Sequence, residues 1–256
     1  MKKTLISTFN AYRQYRAVKP RSKAYRIFRH CLTAIFVAYF LIICFPQYLF
    51  AHEVAYKKFK IHAREPLDES IYKVLDQAEA RLSKSSIYDS EISRRVFLTD
   101  SFGMYAFLSN YAFRSFANSV PGIDNIFVNK SDAAADLVFL NRPENNKRSL
   151  SGVIAHEVTH LFIKKRFGWA RTILSLPAWK REGYCEYIAG DTTITYEEAV
   201  KRWRENPNDD SRYRYFKYYL RMKYLLETEN LTIDDIINRD FDEKELDAKI
   251  LQRLGK

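Results

Sequence analysis

The sequence predicts a single α+β domain carried behind one N-terminal membrane helix, and three observations lead there. Residues 31–51 (CLTAIFVAYFLIICFPQYLFA) hold no charged side chain. Short apolar runs of strand length fill the chain up to about residue 129, and long patterns of helical period fill it from about residue 149. Strands first and helices after mark an α+β domain rather than alternating βαβ units. Nine of the 42 Lys and Arg residues precede residue 31, and no acidic residue precedes Glu53.

That last distribution decides how the net charge of +11 is read. Beyond residue 51 the chain carries 33 basic against 31 acidic residues, so the body is close to neutral. A nucleic-acid protein is excluded, because no basic stripe remains to neutralise phosphates. Of the three cysteines, Cys31 and Cys44 lie in the apolar run and only Cys185 in the body, so the body can form no internal disulfide.

The uncharged run is long enough to cross a hydrocarbon core of about 30 Å as a helix. Its preceding flank is purely basic, which puts residues 1–30 in the cytoplasm and residues 52–256 outside the plasma (inner) membrane, periplasmic in a bacterium. A cleaved signal peptide fits less well. A basic lead of about 30 residues is long for one, and Leu49-Phe50-Ala51 is a poor small-x-small site. A buried core helix rarely stays uncharged over such a length.

In the body, residues 52–65 read as a short tether in which FKIH could form a first strand. Asp68 can cap a helix to about Ser83 with Ile71, Val74, Leu75, Ala78 and Leu82 on one face. Arg95–Asp100 reads as a strand, Met104–Ala117 is ambiguous, Val120-Pro121-Gly122 is a turn and Asn125–Asn129 is a further strand. A helix is expected from about Ser149 to Phe167, stopped by Gly168. A second starts at Pro177 and ends before Gly190. Thr195 and Glu198 form a capping box for a third, ending before Pro207. Tyr213–Glu227, Thr232–Arg239 and Asp242–Leu254 complete the series.

The chemistry sits in the first of these helices, at His156-Glu157-Val158-Thr159-His160. Spacing of i and i+4 places both imidazoles on one face, one turn apart, where two nitrogens can reach one Zn²⁺. Glu157 lies on the adjoining rim, able to address a water on that metal. The bland alternative is two exposed histidines beside an ordinary glutamate. A catalytic zinc also needs a third protein ligand. The second helix offers Glu182 in WKREGYCEY, with 21 residues between it and His160, enough for one helix to finish and the next to return.

H-E-x-x-H followed by P-x-W-x-x-E-G on a second helix resembles the gluzincin metallopeptidases of the MA clan. The likeness covers roughly residues 125–190 and implies a zincin-like fold. It also implies a role for each matching residue. His156, His160 and Glu182 would hold zinc, Glu157 would be the general base, and Glu186 would hold the far nitrogen of the first histidine. Many members carry Asn where this chain has Arg181. The family also lines its cleft with a strand just ahead of the active-site helix, a place taken here by Asn125, Ile126, Phe127, Val128 and Asn129, with a plain internal strand as the equal alternative. It supplies a downstream oxyanion donor, for which Tyr213 or Tyr215 stands here, although tyrosines at helical spacing are more often core. No histidine follows His160.

The expected function is therefore that of a membrane-anchored zinc metallopeptidase, an endopeptidase or processing enzyme acting on a peptide or protein near the bilayer. Aminopeptidase activity is not expected, because no G-x-M-E-N segment is present and Gly103-Met104 is followed by Tyr105. The rivals are a catalytically inactive binding or assembly protein on the same fold and a zinc hydrolase acting on another bond. Cys185 reads as a small core thiol. His52 and His62 lack ligand spacing, and His30 lies on the cytoplasmic side.

Overall fold

The computed structural model describes residues 22–254 apart from 111, 113, 121, 142–146, 193 and 207–213. It forms two units, divided between Phe45 and Pro46. The first is helix α1, Lys23–Cys44, opened by the Ser22 side chain, which accepts from Tyr25 N. Its most apolar stretch has a mean hydropathy of 2.1, so the helix is long and apolar enough to cross a membrane. It starts eight residues before the uncharged run, since Ser22 supplies a cap there. It also stops short of Ala51, because Pro46 opens a 3-10 turn over Pro46–Leu49.

The second unit is an α+β fold. FKIH does form a strand, but residues 52–65 as a whole are part of the sheet and not a tether. They form the hairpin of β1, His52–Tyr56, and β2, Phe59–Ala63, turning at Lys57 with φ 53°. Helix α2, Ser70–Leu82, then crosses over to β3, Arg94–Leu98. The α2 residues expected inward are all buried. Glu69, not Asp68, is the capping residue, although the Asp68 side chain accepts from Ser70 N.

The ambiguous segment divides into α3, Phe102–Leu108, and β4, Ala117–Ser119, which runs antiparallel to β5, Asn125–Val128. The sheet order is β1-β2-β3-β5-β4, with β2, β3 and β5 parallel. A second small sheet joins β6, Ser131–Asp132, to β7, Leu137–Phe139, and β8, Lys147–Ser149.

Helix α4, Leu150–Phe167, follows directly and packs against α2 and the sheet. Residues 150–159 and 161–163 are buried all round, as a helix in the middle of a core requires. Ser149 caps it by accepting from Gly152 N, and Gly168 ends it at φ 87°. The short α5, Trp169–Leu174, has no counterpart in the sequence reading. After it comes α6, Ala178–Ala189, closed by Gly190 in the left-handed region.

Helices α7, Tyr196–Glu205, α8, Arg214–Glu227, α9, Ile233–Asn238, and α10, Glu243–Leu254, complete the unit. Thr195 caps α7, but the reciprocal half of the expected box is not formed, since Glu198 pairs with Arg202 instead. The full box is at Thr232 and Asp235. α6 lies tightly against α8 because position 183 is glycine. A Cβ there would meet the Tyr218 carbonyl oxygen at 2.6 Å.

Candidate metal centre

The helix carrying the H-E-x-x-H segment is fixed at its start by two aspartates. Asp191 Oδ2 accepts from Ser149 N and Oγ, both at 2.8 Å. The Asp136 carboxylate accepts from Ser151 N at 2.7 Å and Ser151 Oγ at 2.8 Å. Carboxylates at a helix N-terminus satisfy its unpaired N–H groups and suit its dipole. Six residues on, His156 and His160 stand one turn apart with ring centroids 5.0 Å from each other.

Helix α6 brings Glu182 to both rings. Glu182 Oε2 lies 3.4 Å from His156 Nε2 and 3.4 Å from His160 Nε2. Donor atoms of a tetrahedral zinc with bonds of about 2.0–2.1 Å are spaced about 3.3–3.4 Å apart, so this donor set fits the ion. The other carboxylate oxygen, Oε1, accepts from Arg181 Nε at 3.0 Å, and Arg181 Nη1 donates to the Thr172 carbonyl at 3.2 Å. Arg181 thus pins Glu182 so that a single oxygen faces the imidazoles.

Each imidazole meets a different residue on its other nitrogen. Glu186 Oε1 lies 3.2 Å from His156 Nδ1, and Cys185 Sγ lies 3.3 Å from His160 Nδ1. A metal could also draw on Cys185, because one atom from each of His156, His160 and Cys185 falls within 4.8 Å of the others. The carboxylate set is tighter. The thiol, moreover, stands on the Nδ1 side of His160, whereas Glu182 meets the Nε2 atoms.

Charge at the site is unbalanced. Three carboxylates, Glu157, Glu182 and Glu186, face two guanidinium groups, Arg148 and Arg181. Burial opposes a charge on His156, but Glu186, Glu182 and Glu157 outweigh it and push its pKa up to about 10. Burial likewise raises Glu182, yet the two imidazoles hold it well below the usual carboxylate range. Glu186 is held low chiefly by Arg148 against the same burial. Glu157 is buried and makes no hydrogen bond to a described residue.

The sequence reading of His156, Glu157, His160, Glu182 and Glu186 thus names residues that the fold gathers into one cluster. Tyr215 is at its margin. Half exposed, it has its pKa pushed up to about 12 by partial burial and then by Glu182 and Glu186. Tyr213 lies outside the described residues.

The strand Asn125–Asn129 needs correction. β5 has both edges occupied, by β3 from Arg95↔Asn125 to Leu98↔Val128 and by β4 from Ala117↔Val128 to Ser119↔Ile126. It is buried throughout and has no edge left to pair with a peptide. Among the described residues the outer strands of the sheet are β1 and β4, and β4 packs on α4. Arg148, Asp191 and Arg181 were not found from the sequence, and only the place of Arg148 beside the helix cap could have drawn notice. Compared with known proteins, the chain matches no family model, and no curated protein matches it either.

Proposed function

We propose that this chain is a membrane-anchored zinc metallopeptidase, with His156, His160 and Glu182 as the zinc ligands and Glu157 as the general base. The observation that carries the reading is the meeting of both Nε2 atoms on one oxygen of Glu182, at 3.4 Å each. Zn²⁺ held there would supply a Lewis acid that polarises a carbonyl and makes water acidic enough to attack at neutral pH. Glu157, buried and without a hydrogen-bond partner among the described residues, would take a proton from the attacking water as the water oxygen bonds to the carbonyl carbon. It returns the proton to the amine nitrogen as the C–N bond breaks. Tyr215 keeps its proton at neutral pH and is the tyrosine available to donate to the oxyanion. β4, an outer strand of the sheet, would pair with an extended peptide through backbone hydrogen bonds, which favours broad side-chain acceptance.

Helix α1 anchors the enzyme, with its basic flank in the cytoplasm and the catalytic unit outside. Seven residues, 45–51, separate it from β1, which bounds the link at about 25 Å and favours membrane-proximal substrates.

The test is Glu157→Gln in the full-length chain. The variant keeps its zinc and loses peptide hydrolysis by about 10²–10⁴-fold, the usual worth of a general acid–base. Activity at the wild-type rate would remove Glu157 from the mechanism. A wild-type chain that holds zinc but cleaves no peptide library would favour a binding protein.

A further inference from the structure

We propose that Arg148 is the positioning residue of this centre: it aims Glu186 at His156 and locks the start of α4 against the end of α6. The inference rests on the zinc reading above and adds a residue to it.

Arg148 lies in β8, one place before the cap Ser149, with its side chain 10% exposed. Nη1 donates to Glu186 Oε1 at 3.0 Å and Nη2 to Glu186 Oε2 at 2.9 Å. Two parallel bonds fix the plane of a carboxylate as well as its position, which a single ammonium group cannot do. Nη2 also donates to the carbonyl of Asp191, the first residue past the left-handed Gly190. Asp191 answers through its own carboxylate, which accepts from Ser149 N and Oγ.

Gly152 makes the approach possible. A Cβ there would sit 2.6 Å from Ser149 Oγ and 3.1 Å from Asp191 Cβ. Two adjacent residues, Arg148 and Ser149, therefore grip two points, Glu186 on α6 and Asp191 just beyond it. Sliding one helix along the other breaks a charged bond in either direction. Because His156 and His160 ride on α4 and Glu182 on α6, that register is the ligand geometry. Arg148 also packs on the ring of Phe116, 5.9 Å from its centroid, next to the edge strand β4. It touches no ligand atom and acts through Glu186.

The experiment compares full-length wild type, Arg148→Lys, Arg148→Met, Glu186→Gln and the Arg148→Lys/Glu186→Gln double variant. It reads zinc affinity by chelator competition, the visible spectrum of the Co²⁺-loaded chain and metal-free melting. Outer partners of a metal-bound histidine typically account for about 10–100-fold in affinity, and Arg148→Lys should lose that much. Its Co²⁺ bands should shift while its metal-free melting stays near wild type. The double variant should bind no more weakly than Glu186→Gln by over about twofold, since both changes cut one path. Arg81→Ala is the control. It removes a hydrogen bond to the Ala189 carbonyl at the same helix end without touching Glu186, and should keep wild-type affinity. Should Arg148→Met not fold, the lysine variant carries the test. Wild-type affinity and spectrum in Arg148→Lys, or full additivity in the double variant, would overturn the assignment while leaving the zinc reading intact. A wild-type chain that takes up no zinc overturns both.

Discussion

The unit buries arginines beside carboxylates in two regions that α4 connects, and their surroundings differ in how the charge ends. Around Arg94 it closes. The guanidinium is wholly buried, pairs with Glu79, and has the rings of Phe59, Tyr88 and Phe162 at 4.8, 5.6 and 5.7 Å. Tyr88 hydroxyl also donates to Glu79, so the anion is satisfied within its own cluster. Around Arg148 it does not close. Glu186 meets its arginine and then His156, whose other nitrogen meets Glu182, and Glu157 beside them makes no hydrogen bond to a described residue. In the Arg94 region one cation faces one anion, although Arg94 Nε and Nη2 find no hydrogen-bond partner among the described residues. In the Arg148 region three carboxylates face two guanidinium groups, and the remainder is met by a proton on His156, a place that a divalent ion can take.

The sharpest way to break that comparison is to unbalance the closed region. Glu79→Gln leaves Arg94 buried without its anion, and removing one member of a buried pair costs about 3–5 kcal/mol. Denaturant unfolding should register that loss while the zinc content per folded chain stays unchanged. Loss of zinc in step with stability would show that the two regions are one.

A smaller effect is expected at the contact that sets Glu182. Gly183→Ala must displace the Tyr218 carbonyl, which a Cβ would approach to 2.6 Å. Overpacking of this kind costs about 1–3 kcal/mol. Here it should also weaken zinc binding, because α6 carries the third ligand. Unchanged zinc affinity would detach Glu182 from the α6–α8 packing.

A third effect is a pH dependence peculiar to the open region. His156 has its folded pKa raised to about 10, above the ordinary histidine value. A raised pKa means that the folded state binds the proton more tightly than the unfolded one. In the metal-free chain its contribution is therefore complete below about pH 6.5 and lost as pH rises to about 10. Zinc needs the neutral imidazole, so the zinc-loaded chain should lack this decline. Metal-free melting that stays flat between pH 6.5 and 10 would contradict the charge surplus.

How much of this could be read from the chain follows from the range of the interactions. α4 and α6 were legible to within a residue or so, because Ser149, Gly168, Pro177 and Gly190 signal ends through local backbone chemistry. The pairing of His156 with His160 was legible because helix periodicity is local. The hairpin β1–β2 was read as a tether because β1 is mostly exposed, with mixed polar and apolar residues and no core face. The place of β5 inside the sheet was misjudged because a strand's neighbours are set by distant segments. Its apolar run Ile126-Phe127-Val128, buried on both faces, was the one local hint. The α6 carboxylates were found by resemblance, whereas Arg148 and Asp191 are linked only by the crossing of two elements about 40 residues apart.

The central claim is tested most directly by zinc content in the purified full-length chain, with Glu182→Ala and Cys185→Ser measured beside wild type. The account predicts about one zinc per chain in wild type and in Cys185→Ser, and little or none in Glu182→Ala, as expected for one tetrahedral site built on two imidazoles and a carboxylate. Zinc retained by Glu182→Ala and lost from Cys185→Ser would assign the ion to the thiol and contradict the account.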